Sequence, residues 1–506
     1  METKTIMIQG TASHVGKSVL SSAFCRIFYQ DGYKVAPFKS QNMALNSYVT
    51  REGGEIGRAQ AVQAEAAKIE ATVDMNPILL KPQEDTIAQL IIHGKATTQI
   101  KAKDYFSEQE IGLKAIKDSL KRLKEEYEVL VIEGAGSPAE VNLRDFDLVN
   151  MKVAKLADAP VILVADIDRG GVFADIIGTF ELLNEEEKKR IKAIIINKFR
   201  GEVGRLKSGI EYIEQETGVP VLGVIPYFDE FKIPEEDAIA EYVQGAKDYE
   251  VDIAVITLPH ISNFTDFDLL AEEPGVRLRY VKDKFELGNP DVIIIPGTKN
   301  TIDDLDYLYQ IDFDKEIIKS FEAGTTIVGI CGGYQILGSI IKDPDGIESK
   351  KQEIKALGLL DIETTIEEEK ITSQVEGKLI NKQLLEIADS SVKAYEIHMG
   401  RTELGEKVKP LFRITKRSQQ EVNVSEGACS EGGRVWGTYL HGIFDNQQFR
   451  RSFINKLRGE KGLAPLREEK ISTEKERKEA YNNLADLVRD NLNMELLYEI
   501  IAVKHR

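Results

Sequence analysis

The sequence predicts an α/β fold made of two successive parallel-sheet units, and three observations predict it. Short, continuously apolar, β-branched runs recur from the first residues onward. Amphipathic or Ala-rich helical stretches separate them. A charged, strand-poor segment at 229–250, "DEFKIPEEDAIAEYVQGAKDYE", divides the series in two. Continuous rather than alternating apolar runs mark strands buried on both faces, and strand–helix–strand order builds right-handed parallel units. A chain of 506 residues also exceeds one typical core.

In chain order, "TIMIQG", "QLIIHG", "VLVIEG", "PVILVADID", "IKAIIINKF" and "VPVLGVIP" read as buried strands of the first sheet. Residues 55–70, "EIGRAQAVQAEAAKIE", read as one of the helices between them. The second series comprises "DIAVITLP", "DVIIIPG", "TTIVGIC" and a terminal stretch near "RVWGTYLHGIFDN". The expected domains are therefore 1–230, a linker at 231–250, 251–448, and a charged tail at 449–506 whose "REEKISTEKERKEAYNNLADLVRDNL" reads as a surface helix.

Composition removes several function classes. A net charge of −18 argues against general nucleic-acid binding, which draws on a basic footprint. No run of 18 apolar residues occurs, so no membrane span is expected, and "METKTIMIQG" lacks the pattern of a signal peptide. Cys25, Cys331 and Cys429 are too few and too scattered for a disulfide framework or zinc site, which points to a reducing cytoplasm. The six histidines show no pair with helical metal-site spacing.

The first unit carries a phosphate-binding pattern, "GTASHVGKS". Gly10, Thr11, Gly16, Lys17 and Ser18 stand between the first strand and a helix, where backbone N–H groups and a helix N-terminus cradle phosphates. Lys17 is placed to reach the β/γ-phosphates of ATP and Ser18 to ligate Mg²⁺. Five residues separate Gly10 from Gly16, where the usual pattern has four. Glu133 closes the strand "VLVIEG" at the carboxyl end, where ligands of open α/β sheets sit, and offers a second oxygen to the same Mg²⁺. Lys39 in "PFKSQNMALNS" and Asp168 in "VADIDRGG" are weaker substrate-binding candidates at other strand ends. The loop lacks the additional early lysine of partitioning ATPases.

The second unit carries "GICGG", a glycine-flanked strand-to-helix turn of the kind that exposes a nucleophile, here Cys331. The N–H of Gly332 is then aimed at an oxyanion, with a second donor expected from "PGTKNT" around Gly297 or Thr298. A cysteine nucleophile needs a base, and His441 lies at a strand end 110 residues downstream. Cys25 and Cys429 lack such surroundings and read as structural.

A cysteine elbow followed late in the domain by histidine resembles the class I (triad-type) glutamine amidotransferases, which implies a flavodoxin-like α/β domain. Members usually carry a glutamate two residues beyond the histidine. Here Ile443 stands there. The expectation is a His441 without a carboxylate from that position, a weakly polarised Cys331, and slow glutamine hydrolysis when the acceptor is absent.

The whole chain resembles the cobyrinic/cobyric acid amidases of cobalamin biosynthesis, a dethiobiotin-synthetase-like P-loop domain fused to such an amidotransferase. The resemblance is strongest to the cobyric acid synthases. It is carried, in order, by "QGTASHVGKS", "APFKSQNMALNS", "MNPILLKP", "VIEGAGSPAEVNLRDFDLVNM", "DIDRGGVFA", "INKFRG", "LPHISNFTDFD", "PGTKNT", "GICGGYQILG", "YEIHMGRT" and "GTYLHGIFDN". It implies ATP- and glutamine-dependent amidation of the b, d, e and g carboxylates of adenosylcobyrinic acid a,c-diamide. ATP and Mg²⁺ would turn a carboxylate into an acyl phosphate in the first domain. Cys331 and His441 would release ammonia from L-glutamine in the second. A free carboxylate is a poor acyl donor because its leaving group would be oxide, which is why both halves are needed. The rival readings are the a,c-diamide synthase of the same pathway, a cell-wall amidotransferase, and a nucleotide-switch binding protein with a non-catalytic amidotransferase domain. A homo-oligomer is compatible with all of them.

Overall fold

The computed structural model describes residues 2–84, 87–101, 109–228, 243–246, 248–385, 387, 390–467 and 473–504. The first unit is built on a six-stranded, wholly parallel sheet. Its strands, across the sheet, are Val221–Pro226, Ile191–Phe199, Val161–Asp166, Lys4–Gly10, Val129–Glu133 and Val35–Phe38. Successive residues feed opposite cores, as the two-residue strand period requires: Ile6, Ile8, Val129 and Val131 pack on one face, and Met7, Leu130 and Ile132 on the other.

Three expectations are corrected here. "QLIIHG" does not join the parallel sheet. It forms Ile87–Ile92, an antiparallel strand between Ile78–Glu84 and Lys95–Lys101 in a separate four-stranded sheet. Apolar composition alone does not say which sheet a strand enters. The stretch 55–70 begins as strand Glu55–Gly57, paired with Ser47–Val49, and turns helical only at Arg58–Ala66. The tail is not a surface helix. Tyr481, Leu484, Ala485 and Val488 of helix Thr473–Asn491, with Leu497 and Ile501 of Met494–Ile501, are buried against the first domain's helix Lys17–Gln30 and its sheet. Its charges occupy the outer face, and they masked an apolar stripe at helical spacing. Arg489 and Tyr498 both bond to Asp31, fixing this segment on the first domain.

Most of the expected linker, 229–242, lies outside the described residues, while Val243–Gly245 pairs antiparallel with Val276–Val281 in the second unit's sheet. That sheet has a parallel centre of Val276–Val281, Val251–Ile256, Val292–Ile295, Thr326–Ile330 and Val435–Thr438. A further sheet, dominated by the long antiparallel pair Ile362–Leu379 and Ser391–Leu404, receives the short strand Leu440–His441. The chain thus leaves the parallel sheet at Thr438 and is caught by the second sheet within two residues, which fixes His441 beside the end of Thr326–Ile330. Among the described residues no helix is long and apolar enough to cross a membrane.

Candidate active site

Cys331 follows strand Thr326–Ile330 and caps helix Gly332–Ile336 with φ 52° and ψ −110°, a conformation that non-glycine residues rarely adopt. The turn is held because the Cys331 N–H donates to the Thr438 carbonyl at 2.8 Å. Gly333 must be glycine: a Cβ there would collide with the carbonyl of Ile295. The Cys331 Sγ lies 3.4 Å from the Ile397 carbonyl oxygen. The strained elbow predicted from "GICGG" is therefore present.

Gly332 opens the helix, so its N–H has no partner inside it. The Thr298 amide lies beside it, 3.2 Å from where a Gly332 Cβ would stand. Gly297 faces both reacting side chains. A Cβ there would come within 3.1 Å of His441 Cε1 and 3.6 Å of Cys331 Cβ, filling the gap between base and nucleophile.

His441 is buried, stacks on Tyr395 at 5.2 Å, and has its Nδ1 2.6 Å from Asp266 Oδ2. Asp266 also accepts from the Gly442 N–H at 3.1 Å and the Tyr395 hydroxyl at 3.3 Å. Burial works against the imidazolium, but Asp266, assisted by Cys331, outweighs it and raises the His441 pKa to about 10. This overturns the expectation of weak activation. Ile443 is buried apolar filling, and the acid comes from a different loop, "LPHISNFTDFD" after strand Val251–Ile256. The one sequence signal for it is that this loop leaves the carboxyl end of a parallel strand, where sites assemble, and that signal does not single out Asp266. A second histidine, His398, stands close by. Burial pushes it down to about 3, and its Nδ1 lies 2.9 Å from the Gly400 carbonyl oxygen, so it is a neutral bystander to proton transfer.

A cavity of about 440 Å³ opens on Cys331. Asn263, Lys299 and Gln335 line it from the second domain, and Lys81 and Gln89 from the first. Glu55 and Lys81 of the first domain pair at 2.7 Å, and Lys370 of the second reaches Glu55 at 2.5 Å. Although burial opposes it, the cluster of Lys370, Lys81 and Lys299 holds the Glu55 carboxyl well below the usual carboxylate range.

At the first domain's sheet end, Ser18 Oγ donates to Glu133 Oε1 at 2.8 Å, and Lys39 Nζ reaches the same oxygen at 3.0 Å. Gln63 Nε2 donates to Glu133 Oε2. Burial favours the neutral acid, but Lys39, Ser18 and Gln63 together hold Glu133 below its ordinary range. Lys17 Nζ bridges the Ala12 and Gly136 carbonyls at 2.9 and 3.1 Å, folded across the loop mouth. Gly16 has φ +99°, and a Cβ there would strike the Asn197 side-chain amide. The Thr11 N–H is bonded to the Val164 carbonyl, which seats the loop on the neighbouring strand, while its buried hydroxyl has no partner among the described residues. A glycine-shaped cradle with Lys, Ser and a carboxylate converging on it fits a nucleotide with Mg²⁺. Asp168 does not join that group: it pairs with Arg200 at 2.8 Å.

Residues 4–234 match the family model of an AAA domain, and residues 252–449 match that of a CobB/CobQ-like glutamine amidotransferase domain. The chain is 52% identical over 509 residues to a cobyric acid synthase of Desulforamulus reducens, covering 99% of this chain and 98% of that protein. It is 51% identical over 504 residues to a cobyric acid synthase of Dehalococcoides mccartyi, covering 98% and 99%. A cobyric acid synthase of a Thermoanaerobacter species is 52% identical over 500 residues, covering 98% of each.

Proposed function

The chain belongs to the cobyric acid synthase family, glutamine-hydrolysing and ATP-dependent amidating enzymes, and we propose from that premise how its own residues divide the work. The observation that carries the reading is the buried Cys331–His441–Asp266 line at a cavity walled partly by the nucleotide domain.

Asp266 accepts from Nδ1–H and stabilises the imidazolium that His441 becomes when its Nε2 takes the Cys331 proton. The thiolate attacks the glutamine side-chain carbonyl, and the new oxyanion meets the Gly332 N–H and a second N–H from the 297–298 turn. His441 returns the proton to the leaving nitrogen, which departs as ammonia. Water, deprotonated by His441, cleaves the remaining thioester and frees glutamate and the thiol.

In the first domain, Lys17 with the loop amides would hold the ATP phosphates, and Ser18 with Glu133 would hold Mg²⁺. Bound there, ATP supplies the phosphoryl group that makes a carboxylate an acyl donor. Lys39 keeps Glu133 ionised and ready as a ligand. Ammonia then displaces phosphate from the activated acid. The acceptor we assign is adenosylcobyrinic acid a,c-diamide, amidated at its b, d, e and g carboxylates. Three free, buried thiols and these substrates are those of a cytoplasmic enzyme.

The test supplies ATP, Mg²⁺, glutamine and the a,c-diamide, and counts OH-to-NH₂ exchanges by mass spectrometry. Four exchanges are expected. No exchange on the a,c-diamide, with two exchanges on unamidated cobyrinic acid supplied in its place, would assign the a,c-diamide synthase activity instead.

A further inference from the structure

Asn263 stands in a left-handed conformation, φ 53°, immediately before the short helical turn Phe264–Phe267. Its side chain does not cap that turn, the usual role of asparagine there. It reaches across the domain boundary instead. Its Oδ1 accepts the backbone N–H of Ser47 at 2.9 Å, and its Nδ2 lies 3.5 Å from His441 Nε2. A main-chain N–H can only be met by the amide oxygen, so Ser47 fixes which end of the amide faces the imidazole.

Ser47 belongs to the hairpin Ser47–Val49 and Glu55–Gly57 of the first domain. The same hairpin touches the other two supports of the reacting pair. Val49 is buried against Tyr395, which stacks on His441, and against Ile397, whose carbonyl lies near Cys331 Sγ. Gln374 of the second domain bonds the Val49 carbonyl at 3.0 Å. The hairpin runs directly into helix Arg58–Ala66, whose Gln63 bonds Glu133 at the nucleotide loop.

We propose that Asn263 is a positioning residue for glutamine hydrolysis, through which the first domain's Ser47–Gly57 hairpin holds His441 in its proton-accepting form. Two contacts select one tautomer. Asp266 requires a proton on Nδ1, and the Asn263 NH₂ requires a lone pair on Nε2. Once Nε2 carries the proton, the Asn263 contact becomes donor against donor, so Asn263 opposes the imidazolium that Asp266 favours. The balance between them depends on the first domain being seated. This rests on the reading of Cys331 and His441 as the glutamine-hydrolysing pair.

The imidazole faces Asp266 on the Asn263 loop, Cys331 at the elbow, and Tyr395 and His398 from strand Ser391–Leu404, while Asp268, Asp445 and Arg58 of the first domain act on Asp266 and Tyr395 around it. Asn263→Asp keeps an acceptor for Ser47 but presents a second acceptor to Nε2. The acid limb of glutamine hydrolysis should then move up by about one pH unit, a tenfold loss at a pH on that limb. Val49→Ala should lower glutamine-dependent kcat about fivefold while ammonia-dependent amidation stays within about twofold. Wild type and Cys331→Ala are run alongside. Glutamine hydrolysis that survives Cys331→Ala defeats the underlying reading. Hydrolysis that needs Cys331, with an Asn263→Asp acid limb superimposed on wild type or a Val49→Ala loss equal in both reactions, overturns the positioning role alone.

Discussion

Asp266→Asn removes the charge that sustains the His441 imidazolium and nearly nothing else, since the amide fits the same space. His441 sits at about 10 rather than 6.5, a difference worth about 5 kcal/mol between its two charge states. That figure is net of the burial penalty and includes a share from Cys331. Asp266 stabilises the imidazolium in the ground state as well as on the way to the transition state, so only a fraction of it, about 2 kcal/mol, falls on the barrier. This alone costs roughly thirtyfold. A second cost arises because the substituted amide can present NH₂ to Nδ1, stabilising the tautomer that keeps the proton on Nε2. Together the expected loss in glutamine-dependent kcat is roughly 10²- to 10³-fold. Glutamate release measured across pH, with ammonia-dependent amidation as the parallel reaction, provides the assay. A glutamine-dependent loss below about threefold would refute the assignment of Asp266 as the third member.

Three further outcomes follow from the same geometry. Lys17→Ala and Glu133→Gln should each depress amidation with glutamine and with ammonia alike, by about tenfold or more; normal ammonia-dependent turnover would remove these residues from the nucleotide site. Burial lifts Glu426 to about 8 despite donation from Thr438 Oγ and the Tyr439 N–H, so the folded state binds the extra proton and stability falls as pH rises from about 4.5 to about 8. Glu426→Gln should therefore raise the melting midpoint at pH 9, with the gain fading toward pH 5; a gain that grows on acidification would contradict this. Leu484→Ala, in the buried face of the C-terminal helix, should cost about 2–5 kcal/mol in denaturant unfolding, whereas a solvent-facing position would cost within about 0.5 kcal/mol.

The parts of this architecture readable in sequence were those fixed by local chemistry. "GTASHVGKS" and "GICGG" announce a phosphate loop and a nucleophile turn because backbone constraints dictate their glycines, and both turns are present. Glu133 was readable because a carboxylate closing a central strand has few places to point, and Ser18 and Lys39 meet it there. Asp266 was not, because it lies 175 residues from His441 and only the parallel sheet brings their two strand ends together. The C-terminal helix hid its buried face behind its charge, and "QLIIHG" carried no signal for which sheet would take it. Asn263 and Ser47 meet across a domain boundary, a contact that no local pattern encodes.

The central claim is that ammonia is made at Cys331 and used at the nucleotide site, and one measurement addresses it directly. Cys331→Ala is incubated with ATP, Mg²⁺ and the a,c-diamide, once with glutamine and once with ammonium salt at alkaline pH, and the products are weighed by mass spectrometry. The account predicts no amidation from glutamine and the full four exchanges from ammonia. Loss of both reactions in a chain that keeps the wild-type melting midpoint would contradict it.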